Sequence, residues 1–127
     1  MKWLNKLTPK PKRHEKEEEL FPFREFLAIG NELIGWSNAI DPPVYNVEWV
    51  TPSIYSPRTG VWVFCEHHSG LDKWSNTQRA EIEAECIRLL RRHQYPEGLI
   101  NGIGFVFDSH ENVVEHYEGN YGYRLKG

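Results

Sequence analysis

One stretch of the chain, SNTQRAEIEAECIRLLRRH (residues 75–93), limits the possible folds more than any other. Ser75 and Gln78 have the S-x-x-Q spacing of a capping box, which predicts that a helix begins directly after Ser75. The positions that recur at helical spacing are Ile82, Cys86, Leu89, Leu90 and His93. Three glutamates lie towards the beginning of the stretch and three arginines near its end, an order that complements the helix dipole; they are Glu81, Glu83 and Glu85, and Arg88, Arg91 and Arg92. A helix with one such face has to bury it against a second layer of structure.

A second amphipathic helix is predicted for residues 21–36, with Pro22 at its first helical position, where a missing N–H costs nothing. Its apolar stripe comprises Phe23, Phe26, Leu27, Gly30, Leu33 and Ile34. The runs VYNVEWV and GVWVFCEH that follow are rich in β-branched and aromatic residues, as strands are. Pro57 and Gly60 in the intervening SPRTG suit a tight turn, so the two runs predict a β-hairpin.

The last third of the chain contains two further strand-like segments, INGIGFVFDS and NVVEHYEGNYGYRLKG. Residues 108–112, DSHEN, are predicted to join them as a second hairpin, and EGNYG as a turn into a short terminal strand carrying Tyr121 and Tyr123. The predicted order is α-β-β-α-β-β, with an optional further strand. The fold class is therefore α+β, with a mainly antiparallel sheet of four to five strands covered on one face by two helices.

Charge divides the chain into two parts. Residues 1–16 carry six lysines and arginines against one glutamate, whereas residues 17–127 carry nine against 17 aspartates and glutamates. Two prolines among the cations of TPKPKR favour an extended backbone, so residues 1–19 are interpreted as a basic arm and residues 20–127 as a single domain. A mainly acidic body favours a basic protein partner.

Cysteine content and hydropathy indicate the compartment. Cys65 and Cys86 are too few for a disulfide framework, and no apolar run long enough for a secretion signal or a membrane span is present. We therefore expect a cytoplasmic protein with free, buried thiols and without a membrane partner.

The segment CEHHS, residues 65–69, concentrates potential ligands. Neighbouring residues of a regular strand point to opposite faces, so His67 and His68 cannot share one metal ion. Cys65 and His67 share a face, and further ligands would have to come from His110, His116 or Cys86. The CxxC, HxxxH and HExxH spacings of metal sites do not occur. We therefore predict no metal site and no cofactor.

Catalysis by histidine is an alternative. His68, His110 and His116 fall at predicted strand ends or turns, where a pair of them would suit general acid–base hydrolysis of an ester or of RNA. The surrounding residues are acidic, however, and would repel a polyanion, so nucleic acid is not expected as a partner. No nucleophile or phosphate-loop motif is present, and the chain is predicted not to be an enzyme.

Carboxylates and aromatic residues instead cluster where strands are predicted to end. Aromatic side chains anchor protein interfaces and carboxylates steer basic partners, so these residues are the predicted partner-binding site. They are Glu66, His68, Asp72, Trp74, Asp108, Glu111, Glu115, Tyr117, Glu118 and Tyr121.

In its size, its acidity, its element order and its lack of a catalytic motif, the body of the chain resembles bacterial immunity proteins of contact-dependent and other polymorphic toxin systems. The resemblance covers residues 20–127 and implies binding and neutralisation of a cognate toxin domain, often a basic nuclease. Two alternatives stay open. One is a small hydrolase or nuclease-like enzyme that uses the histidines, and the other is a phage or structural interaction module.

Overall fold

The computed structural model describes residues 21–51 and 58–126. The predicted basic arm, residues 1–19, and Pro57 of the predicted turn lie outside these ranges. In chain order the helices and strands are α1 (Phe23–Trp36), β1 (Asn46–Val50), β2 (Gly60–Cys65), α2 (His68–Lys73), α3 (Asn76–Arg92), β3 (Gly104–Ser109), α4 (His110–His116) and α5 (Tyr121–Lys126). Short 3-10 helices cover Ser37–Ala39 and Glu97–Gly102. Within the described ranges, no helix combines the length and the apolar character that a bilayer crossing requires.

Within the described residues the sheet has three strands, in the order β1-β2-β3. β1 runs antiparallel to β2, so the first predicted hairpin pairing is confirmed. β2 runs parallel to β3, with Val63 opposite Phe107, and α2 and α3 form the crossover between them. The α+β class is confirmed, whereas the prediction of four to five mainly antiparallel strands is wrong. A parallel pair requires a long connection, and here α2 and α3 together supply most of it.

The main core lies between one face of the sheet and the helices α1 and α3. Side chains at alternate strand positions point to this face, as the strand period dictates. The buried core residues include Phe26, Ile29, Leu33, Val47, Trp49, Val61, Val63, Ile82, Cys86, Leu89 and Leu90. The predicted stripe of α1 is partly wrong, because Phe23 and Leu27 are 54% and 51% exposed while Ile29 is buried in their place.

Helix α3 begins as the sequence predicts. The Ser75 hydroxyl accepts a hydrogen bond from the Gln78 N–H at 3.1 Å, and the Ser75 N–H donates to Gln78 Oε1 at 3.1 Å. These two bonds complete the capping box. At the other end, Gln94 adopts a positive φ of 67° just after the helix.

His93, predicted as part of the apolar stripe of α3, instead joins α3 to α1 by polar contacts. Its Nδ1 lies 2.7 Å from Glu25 Oε1, and its Nε2 lies 2.8 Å from Glu32 Oε2. Arg92 also pairs with Glu32. We call His93, Glu25 and Glu32 the histidine clamp. The hydrogen bond that the His93 ring donates to Glu25 is the main cause of the raised pKa of His93.

Residues 110–126, predicted as strands, form the helices α4 and α5. The Ser109 hydroxyl caps α4 by accepting from the Asn112 N–H at 3.1 Å, and Val113 is buried beneath it. The N–H of Gly119 bonds the Val113 carbonyl at 2.9 Å, and Gly119 has a φ of 72° that suits a residue without a Cβ. The predicted hairpin over residues 108–112 is therefore the junction between β3 and α4.

The sheet is also covered on its second face, contrary to the prediction of helices on one face only. Phe64 of β2 is buried there, and the ring of Tyr121 meets it edge-on with centroids 4.8 Å apart. The Arg124 guanidinium lies 4.7 Å from the centroid of the Trp62 ring. Helix α5 thus packs on the face opposite α1 and α3.

Candidate functional site

The parallel strands β2 and β3 end side by side, with Cys65 opposite Ser109. Helix α2 begins at His68 and α4 begins at His110, so both helices leave from the same edge of the sheet. Functional residues of open sheets often lie outside the carboxyl ends of parallel strands. We call residues 66–73 and 110–118 the carboxyl edge.

His68 makes polar contacts in three directions at this edge. Its backbone N–H donates to Glu111 Oε1 at 2.8 Å, and its Nε2 lies 3.2 Å from Glu115 Oε1. Its Nδ1 lies 3.1 Å from the hydroxyl of Ser109. Glu111 and Glu115 are four residues apart on α4, a spacing that places both on one helix face.

The electrostatics of the cluster follow from these contacts. The hydrogen bond with Glu115 is the main cause of a raised pKa for His68, and the nearby charge of Glu111 adds to it. The backbone N–H of His68 is the main cause of a lowered pKa for Glu111. His68 and Glu111 therefore each favour the charged form of the other, although both side chains are solvent-accessible.

Three potential metal ligands converge here. One ligand atom each from His68, Glu111 and Glu115 lies within 4.8 Å of the other two. The sequence interpretation sought ligands among cysteines and histidines and missed these carboxylates. Both cysteines are buried away from the cluster, and burial raises the pKa of Cys65 to about 11 and that of Cys86 to about 12.

Ser109, His68 and Glu115 form a hydroxyl–imidazole–carboxylate array that looks like a nucleophilic triad. Ser109 is fully buried, and its hydroxyl already accepts a hydrogen bond as the cap of α4. A nucleophile has to reach its substrate, so the geometry gives Ser109 a positioning role toward the His68 ring. Of the other histidines of the catalytic alternative, His110 contacts the Tyr121 hydroxyl through its Nδ1 at 2.6 Å, whereas His116 Nε2 lies 3.8 Å from Glu115 Oε1, the same oxygen that His68 contacts.

Two of the predicted partner-binding residues are buried and present no surface to a partner. Asp108, expected to be exposed, is 7% exposed and accepts hydrogen bonds from Arg124 Nε at 2.6 Å and Asn112 Nδ2 at 2.9 Å. Trp74 is 2% exposed, and its indole N–H donates to the Pro42 carbonyl at 2.7 Å. Both side chains stabilise the fold.

The two predicted tyrosines are half-buried. The Arg124 guanidinium lies 5.3 Å from the centroid of the Tyr117 ring. Burial raises the pKa of Tyr121 to about 12, because the ring packs on Phe64. The remaining predicted residues are accessible at the carboxyl edge, and they are Glu66, His68, Asp72, Glu111, Glu115 and Glu118.

Carboxylates at the carboxyl edge are paired differently from those of α1 and α3. Within residues 21–51 and 58–126, the ion-pair contacts of Glu66, Glu111 and Glu115 are with His67, His68 and His116 alone. On α1, on α3 and just beyond α3, three carboxylates pair with arginines, in Glu32–Arg92, Glu85–Arg88 and Glu97–Arg91, and His93 also contacts Glu25 and Glu32. The edge carries five carboxylates and one lysine, so its negative charge is incompletely neutralised near neutral pH.

A groove of about 300 Å³ borders the carboxyl edge. Its wall includes Pro42, Pro43 and Tyr45 on one side and Glu66 and His67 on the other. Tyr45 is 45% exposed, and its ring contacts that of His110 at a tilt of 36°, with ring centroids 4.7 Å apart. The sequence interpretation did not select Tyr45; its position directly before β1 was the signal that it lies at a strand end.

Three comparisons with known proteins identified no relative. A scan against protein-family models, a search of curated proteins and a search of solved structures each found no match.

Proposed function

We propose that the protein binds a basic protein through its carboxyl edge and neutralises it, as an immunity protein does with a toxin domain. The observation that carries the proposal is the pairing of the edge carboxylates. Within the described residues Glu66, Glu111 and Glu115 form ion-pair contacts with histidines alone, whereas Glu32, Glu85 and Glu97 each pair with an arginine. The cationic surface of a partner therefore gains more electrostatic binding free energy at this edge than at a face whose charges are balanced.

The charge distribution also suits fast capture. Five carboxylates lie on two short segments at one edge of the sheet, so their electrostatic fields add together next to this edge. At physiological ionic strength screening sets in beyond about 8 Å, which leaves the field effective at close approach. Such steering raises association rates by about tenfold or more.

The groove next to the edge provides an apolar contact for the same partner. Tyr45 and two prolines offer exposed ring surface within reach of Glu66. Interfaces combine a few aromatic anchors with a charged rim. Tyr45 takes the anchoring role that the sequence interpretation gave to Trp74, which is buried.

The proposal describes a binding protein without catalytic activity, working in the cytoplasm. Burial of Ser109 supports it against a hydrolase with a serine nucleophile, because the only hydroxyl that contacts His68 in the described part of the chain cannot reach a substrate. The two free, buried thiols suit a reducing compartment.

The test begins with affinity capture of the partner and continues with association kinetics on the purified pair. The edge variant carries Glu66→Gln, Asp72→Asn and Glu118→Gln, three exposed positions that lie outside the His68 cluster. The control variant removes three carboxylates of α3 and the segment after it, through Glu81→Gln, Glu83→Gln and Glu97→Gln. Both variants change the net charge equally.

We expect the edge variant to slow association by about tenfold at low salt, and the control by less than about threefold. The difference should vanish at high salt, where screening shortens to about 3 Å. The partner should also lose its toxic activity when the protein is present in equimolar amount. Equal effects of the two variants, or a partner that stays active in the complex, would contradict the proposal.

A further inference from the structure

In the cluster of His68, Glu111 and Glu115, three potential ligand atoms from two helices converge. An ordinary surface ion pair does not require this arrangement. We infer that these side chains bind one divalent transition-metal cation, with Zn²⁺ as the best-matched ion. Imidazole nitrogen and carboxylate oxygen are both Zn²⁺ ligands. The inference concerns the isolated protein and does not rest on the proposed function.

The distances fit a small cation. Zn²⁺ binds these ligands at about 2.0–2.2 Å, so neighbouring ligand atoms of a tetrahedral site lie roughly 3.3 Å apart. His68 Nε2 and Glu115 Oε1 are already 3.2 Å apart. Glu111 Oε1 lies 4.0 Å from the same nitrogen and all three ligand atoms lie within 4.8 Å of one another, so closing the site requires side-chain movements of about 1–1.5 Å.

The ligands are held by groups behind them. The buried Ser109 hydroxyl contacts His68 Nδ1, which leaves Nε2 directed toward the carboxylates. The same hydroxyl caps α4, the helix that presents both glutamates. Metal-binding histidines commonly use their second nitrogen in this way, and the contact fixes the orientation of the ring.

The charge balance favours a divalent ion over a proton. A protonated His68 supplies one positive charge against two carboxylates, and within the described residues no arginine or lysine makes an ion pair with Glu111 or Glu115. A divalent cation with a neutral imidazole neutralises both carboxylates. Three protein ligands at a solvent-exposed position leave the fourth coordination position for water, as in sites that are not purely structural.

The experiment is titration of the chelator-treated, full-length protein with ZnCl₂ by calorimetry, together with NMR of the histidine side chains. We expect one strong site, with the largest NMR shifts at His68. His68→Gln and Glu115→Gln should each weaken binding by at least about tenfold, and Ser109→Ala by about tenfold through loss of orientation. Thermal unfolding of each variant checks that the fold is intact.

Matched controls are His67→Gln and Glu118→Gln, exposed neighbours of the cluster that contribute no ligand. Both should bind Zn²⁺ like the unaltered protein, and so should the edge variant defined above. Absence of one-to-one binding, equal losses in control and cluster variants, or retained affinity in Glu115→Gln would overturn the inference. If His68→Gln does not fold, Glu115→Gln decides alone, because that side chain is exposed on α4.

Discussion

Replacement of His93 by glutamine tests the histidine clamp between α1 and α3. Hydrogen bonds to charged groups contribute about 1.5–3 kcal/mol each when they are well shielded from water. Here the His93 side chain is 17% exposed, and Glu25 and Glu32 are 32% and 33% exposed, so solvent screening brings each contact close to the range of about 0.2–1 kcal/mol for accessible ion pairs. Because the His93 side chain is mostly buried, each contact lies near the upper end of that range, and the two together contribute about 1–2 kcal/mol to the free energy of unfolding.

The stabilising effect of the histidine clamp depends on pH in a direction that follows from two shifted pKa values. Because the pKa of His93 is raised in the folded state, its contribution is fully present below the ordinary value of 6.5 and is lost as pH rises through the folded-state pKa. The pKa of Glu32 is lowered, mainly by the hydrogen bond with His93. The contribution of Glu32 to stability is fully present above its ordinary pKa of 4.5, and it is lost as pH falls through the lowered pKa of Glu32 in the folded state. The clamp is therefore strongest between these two values.

The assay is urea denaturation of the unaltered protein and of His93→Gln, followed by tryptophan fluorescence. At about pH 5.5 the variant should lose about 1–2 kcal/mol, and at about pH 9 less than about 0.5 kcal/mol, because a neutral imidazole can donate to only one of the two carboxylates. His116→Gln, an exposed histidine at the other end of the molecule, serves as the control. A loss that is equal at both pH values, or absent at the lower one, would refute the reasoning.

Three further substitutions test the packing and the caps by the same denaturation assay. Leu89→Ala removes a buried side chain of the main core and should cost about 2–5 kcal/mol; a loss below about 1 kcal/mol would contradict its burial. Ser75→Ala removes the capping box with Gln78 and should cost about 1 kcal/mol, whereas an unchanged midpoint would show that the cap is dispensable. Arg124→Leu leaves the buried Asp108 with its neutral donors only, so we expect a loss of about 2–4 kcal/mol, and Asp108→Asn in the same chain should recover part of it.

Elements with strong local signals were predictable from the sequence. The capping box and five turns of periodic pattern define α3, and β1 and β2 follow from β-branched runs joined by a short connection. The pairing of β2 with β3 was not predictable in the same way. The paired residues are separated in sequence by α2 and α3. The sequence of a strand does not by itself indicate which other strand it pairs with.

Helices α2, α4 and α5 were missed because six or seven residues contain fewer than two turns, too few for a helical period to stand out. The sequence HHSGLDK was interpreted as a strand end and a loop, and NVVEHY as a strand. The second error concealed the candidate site. On a strand Glu111 and Glu115 are far apart, whereas on α4 they share a face with His68 beside them.

The parallel pairing of β2 with β3 also bears on the order of folding. Contacts between residues close in sequence form sooner than contacts that close a long loop, so we expect β1 and β2 to pair before β3 joins them. The carboxyl edge is then completed last, because Ser109 and α4 arrive with β3. A ligand that contacts both His68 and α4 binds only the fully folded protein. By mass action, its binding shifts the equilibrium from every partly folded state toward the folded state.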